Sequence, residues 1–102
     1  MALMTGTGCI PALRALGDES RLRIVRLLGR SALSVNEISE KLEVSQYNAS
    51  KHLRILREAG LVECHKDGRL RLYSIPEKLR DEIESSVLDL GCCSFRLDQL
   101  PK

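Results

Sequence analysis

The chain has 102 residues and a mass of 11.4 kDa, enough for one hydrophobic core and too little for two. Hydrophobic residues make up 43% and charged residues 29%, which excludes a disordered or fibrous chain, and 3% aromatic content without Trp excludes the stacking platforms that single-stranded nucleic acids need. The net charge of +2 is unevenly spread: residues 1–75 hold 12 Lys/Arg against 8 Asp/Glu, and residues 76–102 hold 4 against 6, so the positive charge belongs to the first three quarters.

No apolar run approaches the roughly 20 residues of a membrane span, and the first eight residues lack the basic start and long apolar stretch of a signal peptide. The expectation is a cytoplasmic chain with no membrane partner. Its four cysteines are then expected as metal ligands, redox sensors or small buried residues rather than structural disulfides.

Residues 1–9 carry Gly6 and Gly8 and read as a flexible arm. A first helix starts at Ile10, with Ile10, Leu13 and Leu16 at helical spacing, Pro11 in its first turn and Gly17 at its stop. Asp18 is a natural N-cap for a second helix that carries Leu22, Val25 and Leu28 on one stripe, has Arg21, Arg23 and Arg26 outside it, and ends near Gly29. Ser34 and Glu37 form a capping box opening a short third helix, with Ile38 and Leu42 inward and its end close to Glu43. Ser45 caps a fourth helix that buries Ala49, Leu53 and Leu56 and is closed by Gly60. Strands over 61–66 and 69–75 flank Asp67-Gly68, a two-residue hairpin signal, with Lys66, Arg69 and Arg71 at a basic tip. Pro76 and Glu77 begin a last helix with Leu79, Ile83, Val87 and Leu90 as a narrow apolar stripe, running to about Cys93. Residues 10–93 thus form one domain, and 94–102 a tail.

This order is mainly α with a small β-hairpin, the α-α-α-α-β-β-α plan of a winged helix-turn-helix. The outward face of the fourth helix bears Gln46, Tyr47, Asn48, Ser50, Lys51, Arg54 and Arg57, a mixture of amide, hydroxyl and cationic groups rather than the Glu/Lys pairs of a solvated helix. Gln46, Asn48 and Ser50 offer donors and acceptors to base edges in a major groove, and Lys51, Arg54, Arg69 and Arg71 offer phosphate contacts. The expected partner is double-stranded DNA. No Cys-x-x-Cys at a helix start, phosphate-binding loop or Ser/His/Asp set supports an enzyme.

Three stretches carry a family resemblance: Leu13 to Leu28, reading LRALGDESRLRIVRLL; Ser45 to Val62, reading SQYNASKHLRILREAGLV; and Asp67-Gly-Arg with Tyr73. Over about residues 10 to 90 they resemble the ArsR/SmtB family of bacterial metalloregulators. The resemblance implies a homodimeric repressor, with first and last helices at the dimer interface, the fourth helix in successive major grooves of a palindromic operator, and ligand binding that weakens DNA affinity. It also matches His52 to a position tied to fold and DNA binding. A partner chain covering the apolar stripe of the last helix agrees with this.

The family's inducer sites differ, and two have no counterpart here. Glu37 to Glu43 contains no Cys for a third-helix Cys-x-Cys site, and residues 76–102 contain no His for a terminal-helix zinc site. What remains is Cys92-Cys93, with the third thiolate either Cys9 from the other protomer or missing. Adjacent cysteines make a strained disulfide with each other but can turn both sulfurs to one soft ion. Arsenite or a related trivalent metalloid is the expected inducer. Similar arsenic-responsive members add a third Cys a few residues later, whereas Ser94 to Leu100 has none. The alternative keeps the repressor and replaces the ion by reactive sulfur or oxidants acting on Cys9 and Cys92 or Cys93, as in some relatives. Cys64 reads as structural and His65 as a surface residue of the wing.

Overall fold

A computed structural model describes residues 9–79, 87–90 and 93–99. Four helices come first: α1 (Cys9–Leu16), α2 (Glu19–Leu28), α3 (Val35–Leu42) and α4 (Gln46–Glu58), with a two-residue strand β1 (Leu33–Ser34) between α2 and α3. Strands β2 (Glu63–Asp67) and β3 (Leu70–Ser74) follow, and a second hairpin, β4 (Val87–Asp89) and β5 (Ser94–Arg96), leads into a 3-10 turn over Leu97–Gln99.

The helix starts follow from their caps. Asp18 accepts a hydrogen bond from the Arg21 N–H at 3.1 Å, and Ser45 Oγ accepts from the Asn48 N–H at 3.0 Å. At α3 the reciprocal box forms: Ser34 Oγ accepts from the Glu37 N–H, and the Glu37 carboxylate accepts from the Ser34 N–H. Helix α4 ends in a pair of reverse bonds, Leu61 N–H to the Leu56 carbonyl and Gly60 N–H to that of Arg57, around Gly60 at φ 79°. Helix α3 ends the same way, with Val44 bonded back to Ser39 and Glu43 to Glu40, but the left-handed residue is Glu43, at φ 56°. That turn sets α3 against α4.

Ile24, Val25, Leu28, Ile38, Ala49, Leu53, Leu56, Leu61 and Ile75 form the centre of the core between the helices and the sheet. The sheet is antiparallel in the order β1-β3-β2, so the wing hairpin is anchored to the helices through β1. Its turn differs by one residue from the expected one. Asp67 pairs with Leu70, leaving Gly68-Arg69 as the loop, and Gly68 at φ 65° carries a left-handed conformation. An Asp-Gly loop of type I′ needs positive φ at both residues; glycine first, with an ordinary second residue, is the type II′ pattern.

The two ends depart further from expectation. Cys9 is the first residue of α1 rather than part of an arm, and residues 1–8 lie outside the described residues. Helix α1 buries Ala12, Ala15 and Leu16, while Ile10 and Leu13, expected on the buried stripe, are 59% and 38% exposed. At the other end a helical turn follows Pro76 over 77–79, but Val87 lies on strand β4 and Leu90 just beyond it, not on a last helix. Alternation explains this: Leu88 and Leu90 are buried, Asp89 between them is exposed, and a helix would turn those leucines to different sides. Ile83, from the same expected stripe, lies outside the described residues. The hairpin is closed by the Leu90 N–H on the Cys93 carbonyl at 2.9 Å, which places Cys93 beside a strand rather than at a helix end. Residues 94–99, expected as tail, supply β5 and the 3-10 turn, and Leu97 is 1% exposed. Leu79 and Leu90, expected to await a partner chain, are buried in this chain's own core.

Candidate nucleic-acid interface

Helix α4 spans 13 residues, about 20 Å. Each residue turns the helix by about 100°, so Gln46, Ser50, Arg54 and Arg57 fall within about 80° of one another, with Tyr47 just beside them. All five are exposed, Tyr47 to 76%. The neutral hydrogen-bonding groups occupy the N-terminal half of this stripe and the two arginines its C-terminal half. Asn48 and Lys51 are also exposed, flanking it. The Gln46 amide is held in place, since its Nε2 donates to Asn36 Oδ1 on the first turn of α3 at 2.6 Å.

On the wing, Lys66, Arg69 and Arg71 are exposed, and Lys66 stands directly opposite Arg71 in the ladder. Like charges facing each other across two strands cost stability. A hairpin that keeps such a pair concentrates positive charge near its tip.

His52 is the exception among the ten residues expected to contact DNA. It is half-buried, and its Nδ1 lies 3.2 Å from an Nη of Arg21. A guanidinium only donates, so Nδ1 is the acceptor and the ring proton sits on Nε2. The same guanidinium donates to the carbonyls of Arg14 and Ala15 at the end of α1. Arg21, expected outside the helix stripe, therefore joins three helices: α1, α2 and α4.

Two residues absent from the expected contact set line this face. Between α4 and β3 lies an open cleft of about 520 Å³, bordered by Ser50, Arg54, Arg57, Glu58 and Tyr73. Arg54 pairs with Glu58 at 3.4 Å. The Tyr73 phenol is pushed above its ordinary value of 10.0, first by burial and then by the adjacent Cys64 thiol, with Arg57 and Arg71 pulling the other way. Arg57 was visible as seven residues after Ser50, on the same stripe; Tyr73 enters through strand pairing, which sequence spacing does not reveal.

The cysteines divide clearly. Cys9 is disulfide-bonded, whereas Cys64 and Cys93 are half-buried thiols outside any disulfide. Cys92 lies outside the described residues. Cys64 pairs with Tyr73 across β2 and β3, and His65 Nε2 lies 3.0 Å from Ser74 Oγ, on the wing's other side. Among the described residues no three His, Cys, Asp or Glu side chains converge on a common point, and no described helix is long and apolar enough to cross a membrane.

A family model described as a helix-turn-helix domain matches residues 16–65. The chain is 46% identical over 66 residues to YceK of Bacillus subtilis, an uncharacterized HTH-type transcriptional regulator, covering 63% of this chain and 66% of that one. It is 41% identical over 63 residues to the transcriptional activator HlyU of Vibrio cholerae, covering 62% and 58%, so it spans about three fifths of these relatives' lengths. The solved structure of reduced HlyU from Vibrio cholerae superposes with a TM-score of 0.66 at 36% identity, over 76% of this chain and 82% of that one. A homodimeric winged helix-turn-helix DNA-binding domain from Mycobacterium bovis, described as a possible ArsR-family transcriptional regulator, gives a TM-score of 0.68 at 26% identity, over 74% and 70%. These relatives are named as transcriptional regulators, in agreement with the expectation of a non-enzymatic chain. The fold, the helix-turn-helix match and the identity to these regulators together show that the chain belongs to the ArsR/SmtB family of winged helix-turn-helix transcriptional regulators.

Proposed function

We propose that the protein is a cytoplasmic, homodimeric repressor that binds double-stranded operator DNA, and that a thiol–disulfide change at Cys9 releases it. The DNA reading rests on the exposed stripe of α4, whose amide and hydroxyl groups suit base edges, and on the cationic wing beside it. The exposed Ile10 and Leu13 on α1 offer apolar surface to a second copy. A twofold dimer brings two α4 helices to half-sites about one helical turn apart.

The signal reading rests on one observation: Cys9 is disulfide-bonded while Cys64 and Cys93 are in no disulfide. Of the four cysteines this leaves Cys92 as the proposed partner. Oxidation removes a proton and an electron from each thiol, passes both electrons to a peroxide or a polysulfide, and forms one S–S bond between α1 and the C-terminal segment. That crosslink fixes α1, and with it the relative placement of the two protomers' recognition helices.

A second reading is the trivalent metalloid. Adjacent cysteines such as Cys92 and Cys93 can turn both sulfurs to one thiophilic ion, and Cys9 offers a third, so these residue types suit arsenite or a similar species. The ion would take Cys9, Cys92 and Cys93 as thiolates and act through the same crosslink.

Fluorescence anisotropy on promoter DNA separates these. Reduced protein should bind. Oxidant or polysulfide should weaken binding by about 100-fold, a coupling of about 2.7 kcal/mol, with Cys9→Ser and Cys92→Ser staying bound and Cys93→Ser released like wild type. Release of the reduced protein by arsenite, dependent on Cys92 and Cys93 and with oxidants inert, replaces the disulfide reading by the metalloid one. Reduced protein that binds no duplex overturns the regulator mechanism altogether.

A further inference from the structure

We propose that Asn36 of α3 is a positioning residue for base recognition: its side chain holds the Gln46 amide in one orientation, so that Gln46 selects adenine at one position of each half-site. This rests on the operator-binding reading and adds to it a residue outside α4 and a base preference.

Asn36 and Gln46 join the two helices of the motif. Asn36 is the second residue of α3 and Gln46 the first of α4, both are exposed, and Gln46 Nε2 donates to Asn36 Oδ1 at 2.6 Å. The acceptor stands on a fixed base. Asn36 lies between Ser34 and Glu37, the two partners of the reciprocal capping box, so its backbone is held on either side. The turn from α3 to α4 is tied by Ser39 Oγ donating to the Val44 carbonyl at 2.6 Å and by the Val44 N–H returning to Ser39. Asn36 itself caps neither helix, which leaves its side chain to this bond.

The groups that Gln46 has left decide the base. An amide offers two N–H donors and one carbonyl acceptor; with one N–H committed to Asn36, one donor and Oε1 remain in a fixed order. Adenine presents an acceptor, N7, beside a donor, its N6 amino group, whereas guanine presents two acceptors, N7 and O6. A glutamine free to rotate can turn its amino group to guanine. Held in place, it sets Oε1 against guanine O6, two acceptors with no proton between them. The N-terminal residues of a recognition helix are those that reach base edges, and Gln46 opens α4. Ordering such a side chain before binding spares a cost of roughly two- to tenfold in affinity.

The test is fluorescence anisotropy of wild type, Asn36→Ala, Asn36→Asp, Gln46→Ala and the Asn36→Ala/Gln46→Ala double variant. Each is titrated on the promoter duplex, on copies in which every A·T pair is replaced in turn by G·C, and on an unrelated duplex. Asn36→Ala should weaken the promoter duplex by about fivefold per protomer and leave the unrelated duplex unchanged. It should also narrow the preference for adenine over guanine at one half-site position, the position at which Gln46→Ala abolishes it. In the Gln46→Ala background, Asn36→Ala should have no further effect. Asn36→Asp keeps the acceptor, so it should preserve the ratio between duplexes while its charge weakens both by the same factor. Unaltered melting temperatures verify that the variants fold.

Equal weakening of both duplexes by Asn36→Ala, with Gln46 present or absent, makes Asn36 a contact to the DNA backbone and overturns the proposal. So does an unchanged base preference in Asn36→Ala, or one changed at a position that Gln46→Ala leaves alone. Wild type that binds neither duplex is a failure of the operator reading itself, recognisable before any variant is made.

Discussion

Tyr73 shows how much a single side chain reports here. It lies in the central strand of the wing sheet, facing Leu33 on one side and Cys64 on the other. Burial raises its folded pKa above the unfolded value of about 10. An acid that ionises less readily when folded contributes stability that is complete below the unfolded pKa and is lost as pH rises through the folded one. In a Tyr47→Phe variant, Tyr73 is the sole tyrosine, and its ultraviolet titration should place ionisation above pH 10. Thermal melts taken upward from pH 10 should fall more steeply for wild type than for Tyr73→Phe. Ionisation at or below 10 contradicts the packing described. At this scale the sequence was most readable on the outer face of α4, where helical spacing alone selects Gln46, Ser50 and Arg54. It was least readable for Arg21 and His52, because a long arginine folds back to satisfy carbonyls at the end of another helix, and no local pattern signals that.

At the level of elements, caps were legible and turns nearly so. Asp18, Ser34 with Glu37, and Ser45 all cap the helices expected of them, because a side-chain oxygen bonding an N–H three residues on is a local event. The turn between α3 and α4 holds an anomaly that spacing could not reveal: Glu43 sits at φ 56°, where a side chain costs about 1 kcal/mol or more. Glycine removes that cost and adds back about 0.5 kcal/mol of unfolded-chain entropy. Glu43→Gly should therefore stabilise the protein by about 0.5 kcal/mol, a rise in Tm of roughly 2–4 °C for a domain of this size, with DNA affinity unaltered. A fall in Tm would show that the Glu43 side chain contributes contacts outweighing its backbone. The expected extent of the last helix, to about Cys93, was too long for a physical reason: Val87 and Leu90 satisfy a helical stripe, while Leu88 and Leu90 satisfy a strand alternation, and only burial distinguishes them.

For the whole molecule, the chief correction is that the C-terminal residues belong to the core. Leu97 is buried, and its carbonyl accepts a hydrogen bond from Arg26 of α2 at 3.4 Å. Leu97→Ala should cost about 3 kcal/mol in urea unfolding, as for a buried leucine elsewhere, whereas a tail residue would change stability by less than about 0.5 kcal/mol. Core membership that late in the chain depends on contacts distant in sequence, which composition and periodicity do not encode. The Arg21 guanidinium makes the same point about long-range order. One side chain grips both the carbonyl end of α1 and the imidazole on the inner side of α4. The helix that begins at Cys9 and the helix that carries the exposed amide, hydroxyl and guanidinium stripe thus share one rivet, a single side chain that ties the carbonyl end of α1 to the inner side of α4.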